Sequence, residues 1–145
     1  MVAIGAPVAE VEPTLDAAMV SVAAVNGPTS TVIAGVEAAV LDVAERFARQ
    51  GARTRRLRVN RAFHSPTMDD VADGLRAVAA DLAVTPMHTP VTSALTGQPL
   101  TGEEIADPEY WVRHVRQPVR FLDAVRSLAA SGVARWIEVG PDTVL

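Results

Sequence analysis

The alternation of apolar and polar residues over the first sixty positions predicts six short elements. Apolar residues recur at every second position in some stretches, as in a half-buried strand, and at every third or fourth position in others, as on one face of a helix. The sequence Asn26-Gly27-Pro28 separates two strand-like stretches and predicts the turn of a hairpin. The predicted elements are a strand at 1–6, a helix at 8–18, strands at 20–24 and 31–36, a helix at 37–50 and a strand at 53–59.

This order, β-α-β-β-α-β, is that of a ferredoxin-like split βαβ unit. Beyond Asn60 the pattern changes, and it predicts helices at 66–82, 110–115 and 119–128 and strands at 90–95 and 134–139. Two strands cannot form a sheet that helices cover on both faces. We therefore predict an α+β to α/β chain, with a ferredoxin-like small subdomain at 1–60 and an incomplete α/β segment at 61–145.

Composition and charge narrow the functional classes. Apolar residues make up 49% of the 145 residues and charged residues 21%, which is enough apolar material for a buried core. The net charge of −4, without a basic tract, argues against nucleic-acid and membrane partners. No signal peptide or long apolar run is evident, so we expect a cytoplasmic protein. Without cysteine, and without a metal-ligand spacing of His, Asp and Glu, we expect no metal and no bound cofactor.

The three histidines differ in their sequence surroundings. His88 lies in a proline-flanked connector and is expected to be solvated, whereas His114 lies in an aromatic helix start and is expected to pack or cap. His64 lies between a predicted strand and a helix that begins near Pro66. Side chains at such corners project into a cleft at the carboxyl end of a sheet, which makes His64 the candidate catalytic residue. Ser65 is either its nucleophilic partner or, as we favour, the N-cap of the following helix.

A general base requires a nucleophile. No serine of the chain stands in the Gly-x-Ser-x-Gly pattern of a nucleophile elbow, so a serine partner of His64 would have to come from outside these residues. Five arginines lie between Arg53 and Arg61. They could contact the phosphates of a cofactor or an acidic partner, although an exposed strand face is the simpler interpretation.

Four motifs resemble successive landmarks of the acyltransferase domain of modular type I polyketide synthases. They are the segments 24–35 (AVNGPTSTVIAG), 61–66 (RAFHSP), 110–121 (YWVRHVRQPVRF) and 137–141 (IEVGP). The resemblance runs along the full chain. It implies a ferredoxin-like small subdomain followed by a returning segment of an α/β-hydrolase-like, malonyl-CoA:acyl carrier protein transacylase-like subdomain, whose serine-bearing half is not in this sequence.

The resemblance also implies an activity and its residues. Serine attacks an acyl-CoA thioester, and the acyl group then passes to the phosphopantetheine thiol of an acyl carrier protein. His64 matches the catalytic base, and a backbone carbonyl that orients its ring is expected near Gln117. The expected partners are the acyl carrier protein, the other half of the domain and the neighbouring ketosynthase.

Arg61, Ala62 and Phe63 stand where the family carries its extender-specificity signature. The sequence Ala62-Phe63-His64 is similar to the His-Ala-Phe-His form that accompanies malonyl selection, because the Phe ring fills the space that an α-methyl branch would need. Arg61 departs from the pattern, and His114 stands where Asn is common. The alternative from a different class is a stand-alone ferredoxin-like module that docks an acyl carrier protein, without catalysis, through Arg53, Arg55, Arg56 and Arg58.

Overall fold

A four-stranded antiparallel sheet forms the centre of the amino-terminal part of the molecule. The computed structural model describes residues 1–139. The strands are β1 (Val2–Ile4), β2 (Val20–Gly27), β3 (Ser30–Gly35) and β4 (Thr54–Arg56). Their order across the sheet is β2-β3-β1-β4, so β2 and β4 are the edge strands.

Six α-helices accompany the sheet in an α+β arrangement within the described residues. They are α1 (Val8–Val11), α2 (Glu37–Arg49), α3 (Ala72–Ala80), α4 (Gly102–Ala106), α5 (Pro108–Arg116) and α6 (Phe121–Ala130). The order β-α-β-β-α-β predicted for the first sixty residues is the order observed. No helix in residues 1–139 has the length and apolar character needed to cross a membrane.

The main core lies between the sheet and the helices α1 and α2. Side chains alternate between the two faces of a strand, so Val2 and Ile4 of β1 both face this core together with Ile33 of β3. The apolar stripe of α2, which includes Val40, Val43, Ala44 and Phe47, covers them. The apolar residues that form this core all come from the first 52 positions.

The β2–β3 hairpin forms at the predicted turn. At the other end of the hairpin, the backbone of β3 comes very close to the residues at the start of β2. Gly35 has a φ of 151°, and a Cβ at this position would lie 1.9 Å from the carbonyl oxygen of Met19. A side chain cannot be accommodated there, which explains the need for glycine where β3 leads into α2.

The opposite face of the sheet carries small side chains and receives the second part of the chain. Ala23, Val32 and Ala34 form a small buried cluster, and Ala62 packs against it. The outer edge of β2 is covered by Val119, whose N–H donates to Ala23 O at 2.9 Å and whose carbonyl accepts from Val25 N at 2.9 Å. Residues from beyond position 60 therefore lie against this face and this edge.

Two amino-terminal elements are shorter than predicted. The helix predicted at 8–18 ends at Val11 and continues as a 3-10 turn at Glu12–Thr14, because Pro13 lacks an N–H and its ring clashes with a continuing α-helix. The strand predicted at 53–59 spans only Thr54–Arg56. Leu57, the next residue, still donates its N–H to Met1 O at 3.0 Å.

In the second part of the chain, the predicted helix at 66–82 forms over most of its length, whereas both predicted strands are wrong. The helix predicted at 66–82 begins as a 3-10 helix, Pro66–Val71, before α3. The strand predicted at 90–95 is reduced to a single bridge between Thr92 and Pro99. The strand predicted at 134–139 does not form in the described part, where Ile137 and Val139 are 89% and 93% exposed. A strand requires a partner edge, and residues 1–139 place none beside this segment.

Helix α4 was not predicted, although its start signal is present in the sequence. Thr101 and Glu104 form a capping box, in which the Thr101 hydroxyl accepts from Glu104 N and the Glu104 carboxylate accepts from Thr101 N. The helix is only five residues long, too short for the apolar periodicity that identified the other helices.

We predict that core and surface positions of α2 differ sharply in their contribution to stability. Replacing Phe47, which is 7% exposed, by Ala should lower the free energy of unfolding by about 3–5 kcal/mol, because it leaves a cavity beneath the sheet. The matched change Leu41→Ala on the same helix, at a site that is 40% exposed, should cost less than about 1 kcal/mol. Urea unfolding followed by circular dichroism measures both, and equal losses would contradict this placement of the core.

Candidate functional site

His64 occupies a corner between the loop that follows β4 and the 3-10 helix at Pro66–Val71. It is the single non-glycine residue in residues 1–139 with a positive φ, 61°. Histidine enters this left-handed region more readily than most residues, but such a conformation still costs about 1–3 kcal/mol unless the surroundings fix it. A backbone held in this way at a solvent-accessible corner is typical of functional positions.

Three hydrogen bonds from distant parts of the chain fix His64. Its backbone N–H donates to Val115 O at 3.0 Å, and its backbone carbonyl accepts from the Ser21 hydroxyl at 2.9 Å. Its ring Nδ1 lies 2.8 Å from Gln117 O. β2 therefore holds the residue from one side and the carboxyl end of α5 from the other.

The contact with Gln117 O determines which nitrogen of the His64 ring carries the proton. A carbonyl oxygen can only accept a hydrogen bond, so Nδ1 carries the proton and the neutral ring presents Nε2 as an unprotonated acceptor. The sequence prediction that a carbonyl near Gln117 lies beside His64 agrees with this geometry. A ring held in one tautomer, half-buried and with its second nitrogen available, has the form of a general base.

The carboxyl end of α5 brings a negative partial charge close to His64. The last carbonyls of a helix have no partner within the helix, and His64 N satisfies one of them, Val115 O. Pro118 follows the C-cap residue Gln117 and prevents the helix from continuing. The negative end of the helix dipole thus lies next to the imidazole, where it favours the positive charge that forms when Nε2 takes a proton.

Ser65 caps the helix that follows the histidine. Its side chain is fully buried, donates from its hydroxyl to Ala62 O at 2.6 Å and accepts from Thr67 N at 3.3 Å. The N-cap prediction is confirmed. A hydroxyl engaged in this way serves the loop geometry, so the adjacent Ser-His pair is not a nucleophile and its base.

An aromatic cluster from α5 lies beside His64. The rings of His64 and His114 meet edge to face with centroids 6.3 Å apart, and Tyr110 and Trp111 lie 5.9 and 6.3 Å from His114. Burial, and second the nearby charge of His64, lower the pKa of His114 below its ordinary value. His114 thus packs, as predicted, and it stays neutral at physiological pH. His88 is exposed in its connector.

The three residues before His64 are placed differently from one another. Ala62 packs against the small cluster on the sheet, whereas Arg61 is exposed and forms no ion pair within the described chain. Phe63 is 46% exposed and lines an open groove with Leu57 and Val59. The Phe63 ring is therefore available to contact another molecule or another segment of protein.

Two contributors to the site escaped the sequence analysis. Ser21 lies 43 residues before His64 in the middle of a predicted strand, and Val115 acts through its backbone alone. Neither carries a local signal. Across residues 1–139 there is also no group of three or more His, Asp or Glu side chains that could hold a metal ion. The arrangement can hold and move a proton at His64 Nε2.

The sequence matches the family described as the acyl transferase domain over residues 1–145. It is 49% identical over 147 residues to the spectinabilin polyketide synthase system protein NorB of Streptomyces orinoci, an alignment that covers 100% of this chain and 7% of that protein. It is 48% identical over 141 residues to mycoketide-CoA synthase of Mycobacterium tuberculosis, which covers 97% of this chain and 3% of that protein.

Solved structures give the same result. The acyltransferase domain from the second module of the salinomycin polyketide synthase superposes with a TM-score of 0.91 at 48% identity, over 99% of this chain and 34% of that one. MCAT from Streptococcus pneumoniae superposes with a TM-score of 0.83 at 25% identity, over 99% and 48%.

The motif at 137–141 extends past residue 139, so Gly140 and Pro141 lie outside the described residues. The other three motifs fall on the β2–β3 hairpin, the His64 corner and the end of α5. The chain spans about a third of the salinomycin domain and a few per cent of the two synthases. It belongs to the acyl transferase domain family and corresponds to part of such a domain in a polyketide synthase.

Proposed function

We propose that this chain forms part of a polyketide synthase acyltransferase that moves an extender acyl group, malonyl, from CoA to the phosphopantetheine thiol of an acyl carrier protein. The observation that carries the proposal is the His64–Gln117 hydrogen bond, which leaves Nε2 as the free nitrogen of an oriented base. The nucleophile would be a serine on protein outside these 145 residues, because none of the serines here stands in a nucleophile elbow.

In the first half of the proposed reaction, His64 Nε2 takes the proton of the serine hydroxyl as the serine oxygen attacks the thioester carbonyl. The new C–O bond forms, the C–S bond breaks, and the proton passes from Nε2 to the leaving CoA sulfur. In the second half, Nε2 takes the proton of the carrier thiol while its sulfur attacks the acyl-serine. The C–O bond then breaks, and the serine oxygen recovers the proton.

Gln117 O and the end of α5 assist both halves. The imidazolium exists only while the proton is on Nε2, and at that stage the Nδ1–H···O bond becomes charge-assisted and stronger. The helix dipole acts in the same direction. These contacts stabilise the charged intermediate more than the resting enzyme, which is the requirement for catalysis.

Phe63 is proposed to select the extender unit, with Ala62 and Arg61 completing the signature. Phe63 immediately precedes the base and its ring is exposed, and we place this ring beside the α-carbon of a serine-bound acyl group. A methyl branch would then clash with the ring, and malonyl would be preferred. Arg61 occupies the position at which the malonyl form carries His, and its exposed guanidinium forms no ion pair within the described residues.

The proposal includes the organisation of the chain. Residues 1–60 are assigned as a ferredoxin-like small subdomain, supported by the antiparallel strand order β2-β3-β1-β4, and residues 61–145 as part of the large subdomain. The acyl carrier protein and the neighbouring ketosynthase are the proposed partners, acyl-CoA is the substrate without a bound cofactor, and the location is cytoplasmic.

The base role of His64 predicts a severe loss of activity on its removal. In the intact acyltransferase, His64→Ala should lower the rate of self-acylation from malonyl-CoA by at least about a hundredfold, because the imidazole that accepts the serine proton is removed. Radiolabelled malonyl transfer to the protein measures this rate. The control is His88→Ala, an exposed histidine in the connector, which should act at the normal rate. Activity of His64→Ala within tenfold of normal would exclude the base role.

The steric role of Phe63 predicts a change in selectivity. Replacing Phe63 by Ser should raise the ratio of kcat/KM for methylmalonyl-CoA to that for malonyl-CoA by about tenfold or more, the size expected for one added methyl group in a pocket. The control Val59→Ser removes another exposed apolar side chain from the same groove and should leave the ratio unchanged. A ratio unaffected by Phe63→Ser would contradict the exclusion of the branch by this ring.

A further inference from the structure

The arginines of this chain fall into two groups. Seven of the thirteen form ion pairs with carboxylates, including Arg56 with Glu37 of α2 at 2.5 Å. Of those without an ion pair in residues 1–139, four lie close together in sequence, at positions 53, 55, 58 and 61. A chain with an excess of acidic residues thus leaves a local group of cations unneutralised.

Two of these arginines line a concave site on the sheet. Arg53 and Arg55 border an open groove of about 700 Å³ on one side. Thr29 and Ser30, at the β2–β3 turn, border it on the other side. The other polar side chains that line it are the hydroxyls of Thr29, Ser30 and Thr54, and its lining contains no carboxylate. Guanidinium groups and hydroxyls in a hollow without acidic residues form a site suited to phosphate, since they donate hydrogen bonds and supply positive charge.

The carboxyl end of α2 borders this groove at Gly51, and a helix end of this sense disfavours anions. Its last carbonyls are already engaged: Phe47 O accepts from Ala52 N, and Ala48 O accepts from Gly51 N. The free charges that face the groove are therefore those of Arg53 and Arg55.

The groove lies at one end of the sheet, and Ala3, Ser30 and Arg55 of its lining belong to the sheet face that carries His64. Ala3 of β1 stands opposite both Val32 of β3 and Arg55 of β4, so these side chains share one face. Ser30 and Ala34 belong to this face by the two-residue period of β3, and Ala62 packs on it just before His64. Arg56, in contrast, pairs with α2 on the opposite face.

The two sites also have a defined separation. Ser30 lines the groove, whereas Ala34 pairs with Ser21, whose hydroxyl binds the His64 carbonyl. Ser30 and Ala34 are four residue steps apart along β3, which is about 14 Å. A ligand that reacts at His64 and occupies the groove must therefore be long, with its reactive group at one end and its negative charge at the other.

We propose that the groove at Arg53, Arg55 and Ser30 binds the phosphate-bearing nucleotide end of the CoA thioester whose acyl carbon reacts beside His64. This inference rests on the proposed function for the identity of the donor. CoA has the required form, with a thioester joined through pantetheine to a nucleotide that carries a diphosphate and a 3′-phosphate. The concave shape favours an inserted small molecule over the convex surface of a carrier protein.

Binding of CoA to the 145-residue chain tests this directly, because it needs neither the serine nor turnover. Calorimetry gives the affinity and amide NMR gives the location. CoA should shift the amide resonances of Ser30, Arg53 and Arg55, whereas pantetheine, which lacks phosphate, should leave them in place. The double change Arg53→Gln/Arg55→Gln should weaken CoA binding at least about tenfold, since each guanidinium supplies a charge-assisted contact.

The control is Arg126→Gln/Arg135→Gln, which removes two other arginines that form no ion pair within residues 1–139 and do not line the groove, and it should leave the affinity within twofold. Circular dichroism checks that each variant folds, and Arg55→Gln alone replaces the double variant if that one does not. CoA binding that is absent, or is unchanged by the Arg53 and Arg55 variants, would overturn the inference. So would shifts at these amides with a phosphopantetheinylated carrier protein but not with CoA. None of these results changes the outcome expected for His64→Ala. The CoA-binding proposal and the proposed function can therefore be refuted independently of each other.

Discussion

The outer edge of β2 is the constraint on which the candidate site depends. This strand ends the sheet on one side, and its backbone bonds both ways to Val119 while its Ser21 hydroxyl bonds to His64 O. The segment with Gln117 and the corner with His64 are thereby attached to the same strand. An edge strand has unpaired N–H and C=O groups, and here they are used to bring together two parts of the chain that are 53 residues apart.

The strained backbone of His64 follows from this attachment. A positive φ persists in a non-glycine residue when its surroundings offer enough contacts to offset the cost, and His64 uses its N–H, its carbonyl and its ring for that purpose. The same three bonds set the direction of the side chain and the tautomer of the ring. The same three hydrogen bonds thus hold the backbone conformation of His64 and orient its imidazole ring.

The arginines divide into those with and those without a carboxylate partner in the described residues. Ion pairs such as Arg116 with Asp69 and Arg76 with Glu109 join α5 to the elements that precede it, and exposed pairs of this kind contribute little individually to stability. Arg53 and Arg55, which line the groove, have no such partner in the described residues. Arg55 lies on the sheet face that carries His64, and the proposed binding of CoA rests on this position and not on the number of arginines.

The sequence by itself determined the order of elements in the first sixty residues, the hairpin turn, the N-cap at Ser65 and the choice of His64, because each depends on local periodicity, turn residues or a motif. The tertiary structure decided the rest. The strands predicted at 90–95 and 134–139 do not form, since a strand exists only where another edge pairs with it, and local pattern cannot supply one. Ser21, Val115 and the groove at Arg53 and Arg55 are brought into relation with His64 only by the register of the sheet and by the packing of α5, which bonds between distant residues fix.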